Sequence, residues 1–488
     1  MSKKVITLLN KYGPMLSGEL ARLFEKEYNV SNTAARQALS RARNPVNKIH
    51  TLSFEKNQKF FYLENQYMSH KYIDGLMDAI KASSQVNWNY ICAFSAQSGY
   101  VTKDVLPALV SSPIQKVKGH KLHQRVLEDL LSCHIIEEYN ETQWKLCDWV
   151  PIQSRNPARS AGLETVKKQV VSDFAKWARN INLIGYDSAK TLTSSAEFAH
   201  FQWAFTAPSY VQPLYNIEHK KPGFVVADIF YGQIATIEDV RFFLDKLSII
   251  RTFKKLPSVF PILLLKSVTP DALKELKDNK VTVALINNIF DDRYSELLDE
   301  IVSIFTNSSA IITKNPGKIE ALFKEISKAE GRYNDIIGDM FELLVGYYYQ
   351  HIGCRGLEIR KMIQVPNSPH SNEIDVLVER NGQIIIVECK ATRSPTDITF
   401  VDKWLSENIR RIRTWLHEKY SDGRSFTFQL WSLGGFTEEA LVRLNMESEK
   451  TKKYKIEFFD KSQIIEMAKQ NKVQHVVNIL HQHFQPIV

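Results

Sequence analysis

Residues 372–392 read NEIDVLVERNGQIIIVECKAT. β-Branched residues dominate both ends of the stretch, and Asn381-Gly382 divides it. A type I′ turn needs φ > 0 at both central positions, which Asn-Gly supplies at little cost. The stretch therefore reads as two antiparallel strands, Ile374–Glu379 and Gln383–Glu388, closed by a two-residue turn. That turn sets Asp375 opposite Glu388, and Glu373 opposite Lys390. Side chains alternate along a strand, so Glu388 and Lys390 share one face and Cys389 points to the other. Two carboxylates facing each other at roughly 4.5–5.5 Å between Cβ atoms repel. A divalent cation relieves that repulsion and takes both groups as hard oxygen ligands. Lys390 then lies beside whatever the metal activates.

Asp375, twelve intervening residues and Glu388-Cys389-Lys390 together resemble the D…ExK signature of the PD-(D/E)xK, or restriction-endonuclease-like, nucleases. "EID" before the turn and "VECKAT" after it are most similar to the Mrr-type branch and to the nuclease ends of CRISPR-associated effectors. That family also places a Glu in an upstream helix. Here Gly338-Asp339-Met340-Phe341-Glu342-Leu343-Leu344 reads as helix and is followed by Gly353 and a strand, so Glu342 matches that position. The resemblance spans about Asp335–Ile465. An ExK triplet alone arises by chance; the order helix-Glu, strand, hairpin-Asp, strand-ExK is more specific. The resemblance implies a catalytic set of Glu342, Asp375, Glu388 and Lys390. It also implies Mg²⁺, with Mn²⁺ as a substitute, held by Asp375, Glu388, the Cys389 backbone carbonyl and Glu342 through water.

The length of 488 residues exceeds what one core usually serves. A net charge of +9 fits a polyanionic partner. No run of 18 apolar residues exists, so no membrane-spanning helix and no membrane partner are expected. The opening MSKKVITLLNKYG reads as an amphipathic helix and not a signal peptide. The five cysteines are scattered without a CxxC, which argues against zinc and against a disulfide framework and favours a reducing cytoplasm.

The chain reads as an α/β multidomain protein. Residues 1–67 give helix, helix, helix, hairpin, the order of a winged-helix DNA-binding domain. Ser31-Asn32 caps a third helix over Thr33–Arg43, and His50–Phe54 with Phe60–Leu63 reads as the wing. Arg36, Arg41, Arg43, Lys56 and Lys59 are the candidate DNA-binding residues; the bland alternative is a protein-contact module. Residues 68–155 repeat the theme, with a helix expected near Thr102–Val110 despite Pro107. A connecting helix fills 156–182. Residues 183–314 read as a degenerate nuclease-like α/β domain, and 315–488 as a restriction-endonuclease-like α/β/α domain.

The degenerate domain is read from an internal echo. FVVADIFYGQIATIEDVRFFLDKLSIIRT, from Phe224, parallels IIIVECKATRSPTDITFVDKWLSENIRRIRT, from Ile384. Each is an apolar strand ending in an acid, a polar turn, and an amphipathic helix ending Ile-Arg-Thr. Asp228 stands where Glu388 does, but Phe230 replaces Lys390, so the triplet is broken. Generic α/β alternation and a nucleotide-sensing Rossmann-like domain are the rivals; no GxGxxG or P-loop supports the latter.

The expected function is metal-dependent endonucleolytic hydrolysis of double-stranded DNA, in restriction or antiphage defence by analogy. RNA as substrate and a homodimer stay open. The alternatives are a non-enzymatic DNA-binding regulator, or a nucleotide-activated effector nuclease that senses its ligand through the middle domain.

Overall fold

The computed structural model describes residues 2–186, 188–218, 220–315, 317–319, 321–322, 340–365, 371–392, 394–420 and 423–483. The chain forms two compact units, Met1–Pro157 with Phe174–Ile289, and Ala158–Asp173 with Phe290–Val488. The helix Pro157–Asn180 supplies residues to both. It forms where the sequence predicts a long connecting helix.

The first unit opens with helices Ser2–Tyr12, Ser17–Tyr28 and Asn32–Ser40. Ser31 caps the third, its hydroxyl accepting from the Ala34 N–H at 3.3 Å. Ala35, Ala38 and Leu39 turn inward onto Val5, Leu8, Leu20 and Phe24. A three-stranded sheet completes this part, with Phe60–Leu63 between Met15–Leu16 and Val46–Ile49. The strand expected over His50–Phe54 is thus found at Val46–Ile49. Val46 pairs with Leu63 and Ile49 with Phe60, which buries both. The chain from His50 onward must reverse instead, through a 3₁₀ turn with Lys56 and Asn57 at positive φ.

Residues 70–146 open with the helix His70–Ser83 and build a second three-stranded sheet with the same strand order. Helices Gln85–Ala96 and His123–Ser132 accompany a sheet with Gln143–Leu146 between Tyr100–Thr102 and Ile136–Glu138. The helix expected over Thr102–Val110 is a strand end and a short 3₁₀ turn, Leu106–Leu109. Pro107 is the cause: it is tolerated in a first turn but cannot sit inside a helix.

A five-stranded sheet follows, in the order Lys190–Thr191, Phe205–Ser209, Gly223–Phe230, Val259–Leu265, Thr282–Leu285. Its first three strands are antiparallel and the last three run parallel. The parallel connections carry helices Ile237–Ile250 and Pro270–Asp278.

The second unit holds a sheet of the same plan: Gly356–Gln364, Ser371–Arg380, Gln383–Lys390, Ser425–Ser432, Lys455–Asp460. Again the first three strands are antiparallel and the last three parallel. The correspondence reaches small features. Parallel bridges Ala235↔Val268 and Thr396↔Phe436 lie at matching places, and Thr269 and Thr437 cap matching helices. Ile384, Ile385, Ile386 and Val387 are all buried, as a central strand covered on both faces requires. Trp404, Ile409, Ile412 and Leu416 cover one face, from the helical run between Ile398 and Lys419. That run contains a π-helical turn at Trp404–Asn408.

Gly338 and Asp339, at the start of the helix expected through Leu344, lie outside the described residues. Its later residues fall in the helix Phe341–His351.

Candidate active site

The Asn381-Gly382 turn has φ of 51° and 75°, the left-handed pair that a type I′ turn demands. The register follows: Arg380↔Gln383, Leu377↔Ile386, Val376↔Val387. One residue further on stand Asp375 and Glu388. There the ladder ends, and the Cys389 N–H donates to Asp375 Oδ2 at 2.7 Å. The acids therefore lie at the carboxyl end of the central strand, where its neighbours change from antiparallel to parallel. Open α/β sheets bind ligands at such ends.

Lys390 Nζ sits 3.2 Å from Glu388 Oε1 and 4.1 Å from the Phe400 ring centre. Glu342 comes from the start of the helix Phe341–His351 and pairs with Arg360, Oε2 to Nε at 2.7 Å. Asp375, Glu388 and Lys390 are thus brought together; Glu342 is near enough for its charge to act on both acids, and it hydrogen-bonds to Arg360, which the motif does not contain.

The electrostatics are those of crowded acids. Burial raises Asp375 well above 3.8, and the charges of Glu388, Glu342 and Glu373 raise it further; the Cys389 N–H opposes them. Glu388 is raised by burial and held back chiefly by Lys390. Glu373 moves up to about 7, first through burial and next through Glu342. Glu373 keeps contact with solvent while protein crowds the rest of it, so its shift weighs less than that of Asp375. Burial and the three carboxylates push the Cys389 thiol well above 9, so it is no thiolate nucleophile.

No group of three or more His, Cys, Asp or Glu side chains among the described residues is set to hold a metal ion. The donor set still suits a hard cation. Asp375 and Glu388 each carry a charge that burial opposes, and Glu388 raises Asp375 directly. Mg²⁺ keeps most of its waters and takes one or two carboxylates, the number that Asp375 and Glu388 offer.

One consequence is thermodynamic. Folding raises the Asp375 pKa, so the folded state binds more protons and this site loses stability as pH climbs from the unfolded value through the folded one. Asp375→Asn removes the charge and keeps an acceptor for the Cys389 N–H. In EDTA the variant should melt higher than the parent at about pH 8, by about 2–4 °C for each kcal/mol relieved. The gain should vanish near about pH 3, where both states are protonated. A melt at about pH 8 showing Asp375→Asn equal to or below the parent would contradict the crowding.

The middle sheet shows what the matching place looks like when closed. Extending its register from Phe205↔Ala227 sets Ala204 opposite Asp228. Ala204, Asp228 and Phe230 thus stand where Asp375, Glu388 and Lys390 stand in the second sheet. Asp228 Oδ1 accepts from the Ala204 N–H at 2.7 Å, and Asp228 Oδ2 lies 2.8 Å from Lys246 Nζ. Lys246 also donates to the carbonyls of Ala108 and Gln202, at 2.7 and 2.8 Å. With side-chain exposures of 0% and 1%, the pair is sealed from solvent.

At the N-terminus, Arg36, Arg41, Arg43 and Lys56 are exposed. Arg36, Arg41 and Arg43 form no salt bridge among the described residues. Lys59 is half-buried and donates to the His50 carbonyl at 3.3 Å. Sequence reasoning missed Arg360, Glu373 as a member of the acid group, Lys246 and Ala204. The hairpin register already put Glu373 beside Lys390; nothing in the sequence flags Arg360 or Lys246.

No protein-family model matches the sequence, and no curated protein matches it. Two solved structures overlap it weakly. A crystal structure of a protein of unknown function, AF1548, overlaps 28% of this chain and 65% of its own, at 20% identity and a TM-score of 0.21. The structure of restriction endonuclease FokI overlaps 94% of this chain and 83% of its own, at 11% identity and a TM-score of 0.20. Overlaps of this size do not establish a shared fold. No helix among the described residues is long and apolar enough to cross a membrane.

Proposed function

We propose that this chain is a metal-dependent DNA endonuclease with a restriction-endonuclease-like site in its second unit and winged-helix modules at its N-terminus. The observation that carries the reading is the meeting of Asp375, Glu388 and Lys390 at the carboxyl end of the central strand. The acids there are crowded and desolvated, and the lysine is anchored beside them.

Asp375, Glu388 and the Cys389 carbonyl would hold Mg²⁺ or Mn²⁺. Such an ion would polarise the scissile phosphate and lower the pKa of water at the site. The chain supplies the rest. The Cys389 N–H fixes the Asp375 carboxylate, and Lys390 brings a positive charge to the developing charge on the phosphoryl oxygens. The N-terminal modules provide grip through phosphate contacts that carry little sequence information. A role in restriction or antiphage defence fits this chemistry by analogy.

Supercoiled plasmid incubated with the pure full-length protein tests the reading. Nicking or linearisation in Mg²⁺, absent in EDTA, is expected; intact plasmid across Mg²⁺ and Mn²⁺ would overturn it. For the grip, Arg36→Ala with Arg43→Ala should weaken duplex binding and flatten its salt dependence by about one unit of slope per lost phosphate contact. Unchanged affinity and slope would make the first module a protein-contact domain.

A further inference from the structure

The helix glutamate stands close enough to Asp375, Glu388 and Glu373 for its charge to act on them, but its hydrogen bonds go to Arg360. Glu342 Oε2 accepts from Arg360 Nε at 2.7 Å, and Oε1 lies 3.5 Å from Nη2. The Phe305 ring backs the guanidinium, its centre 4.6 Å from Cζ. Both side chains are largely withdrawn from solvent, at 15% and 22% exposure.

The backbone at Arg360 is unusual in the same place. The ladder between Gly356–Gln364 and Ser371–Arg380 runs through Ile359↔Val376 and resumes at Lys361↔Ile374. The pair skipped is Arg360 and Asp375. Arg360 has φ of 54°, a left-handed conformation that a non-glycine residue rarely takes within a strand. Such outliers persist where the surroundings over-determine them and concentrate at functional sites. The break falls directly across from the acid that heads the motif. Arg360 also acts on the cluster's charge, pulling Glu373 down while Glu342 pushes it up.

We infer that Glu342 is a positioning residue for Arg360 and not a metal ligand, and that Arg360 is a cation built into the site. Its planar fork matches carboxylate and phosphate geometry, so it supplies, beside the two acids that would hold the metal, the positive charge that a second ion would otherwise bring. The inference rests on the nuclease reading above and narrows it: one metal per chain, held without Glu342.

Metal binding separates the two roles. Mn²⁺ binding to the full-length protein, followed by calorimetry or electron paramagnetic resonance, should show one ion per chain. Glu342→Gln, which keeps the side-chain size and an acceptor for Arg360, should leave the Mn²⁺ Kd within about twofold of the parent, whereas Asp375→Asn should weaken it at least about tenfold. In nicking assays Glu342→Ala and Arg360→Gln should each lower kcat, and the double variant should fall no further than the worse single, because the two act as a unit. Arg360→Lys should recover part of the loss. Loss of Mn²⁺ affinity in Glu342→Gln comparable to that in Asp375→Asn would overturn the inference, as would additive losses in the double variant. A parent protein that neither binds Mn²⁺ nor nicks DNA would instead bring down the nuclease reading itself.

Discussion

Lys390→Ala should bind duplex DNA in Ca²⁺ as the parent does and nick it in Mg²⁺ about 10²–10³-fold more slowly, the loss expected when one charge-stabilising donor leaves a preorganised site. Lys390 is held on two sides, by Glu388 at 3.2 Å and by the Phe400 ring at 4.1 Å. A flexible lysine so anchored gives up its rotamer entropy before the substrate arrives, which is what preorganisation means here. Its side chain keeps 30% exposure, so the ammonium can meet a phosphate from solvent. Lys390→Arg should not restore the rate, because a planar fork cannot replace a compact point charge at this place. Asp375→Ala and Glu388→Ala should also stop nicking but, unlike Lys390→Ala, should weaken Mn²⁺ binding too. The three losses should not add, since residues acting as a unit fail together. Nicking by Lys390→Ala at the parental rate would make the motif decorative, and a non-enzymatic DNA-binding role would then account better for the basic N-terminal helix.

What the sequence could reveal tracked how local the determining interactions are. Asn381-Gly382 fixes its own turn, and a turn fixes a register, so the neighbourhood of Asp375 and Glu388 was legible from a few residues. The strand holding Ile384–Val387 was legible for a similar reason: a strand buried on both faces reads as an unbroken apolar run. The echoing Phe224 and Ile384 segments lie in two five-stranded sheets with the same succession of antiparallel and parallel neighbours. Where the outcome depended on distant partners, reading the sequence failed. Arg360 looks like one more polar residue on a strand; its ion pair with Glu342 and its left-handed backbone arise only when helix and sheet meet. Lys246 lies on an amphipathic helix and reads as solvated. It is fully buried, because Asp228 and two carbonyls take its three protons. The strand expected over His50–Phe54 slipped to Val46–Ile49 because burial of Val46 and Ile49 decided the pairing, while Leu52 and Phe54 are buried without a strand.

Lys246→Met should be among the most damaging single changes in the chain, costing about 3–5 kcal/mol, the usual loss when one partner of a buried ion pair is removed. The change leaves Asp228 buried without its counter-charge and strips the Ala108 and Gln202 carbonyls of a donor. For a unit of this size the melting temperature should drop by roughly 10 °C. Burial already lifts Asp228 to about 6 and lowers Lys246, so desolvation outweighs the attraction even in the intact pair. Without the lysine, Asp228 should rise further and carry a proton over more of the pH range. Below the unfolded carboxylate value both states are protonated, so the variant's deficit should be smallest at low pH and grow as pH rises. Lys246→Met combined with Asp228→Asn removes both charges and keeps an acceptor for the Ala204 N–H, so it should recover much of the loss. The same double variant tests whether the middle sheet has any part in catalysis. Ala204 and Phe230 replace the acid and lysine that the second sheet retains, and the pair is closed to solvent. Nicking per folded molecule should therefore equal that of the parent. A double variant that melts like the parent, binds DNA like the parent and no longer nicks would assign chemistry to Asp228 and overturn the reading of the middle sheet as a closed relative of the active one.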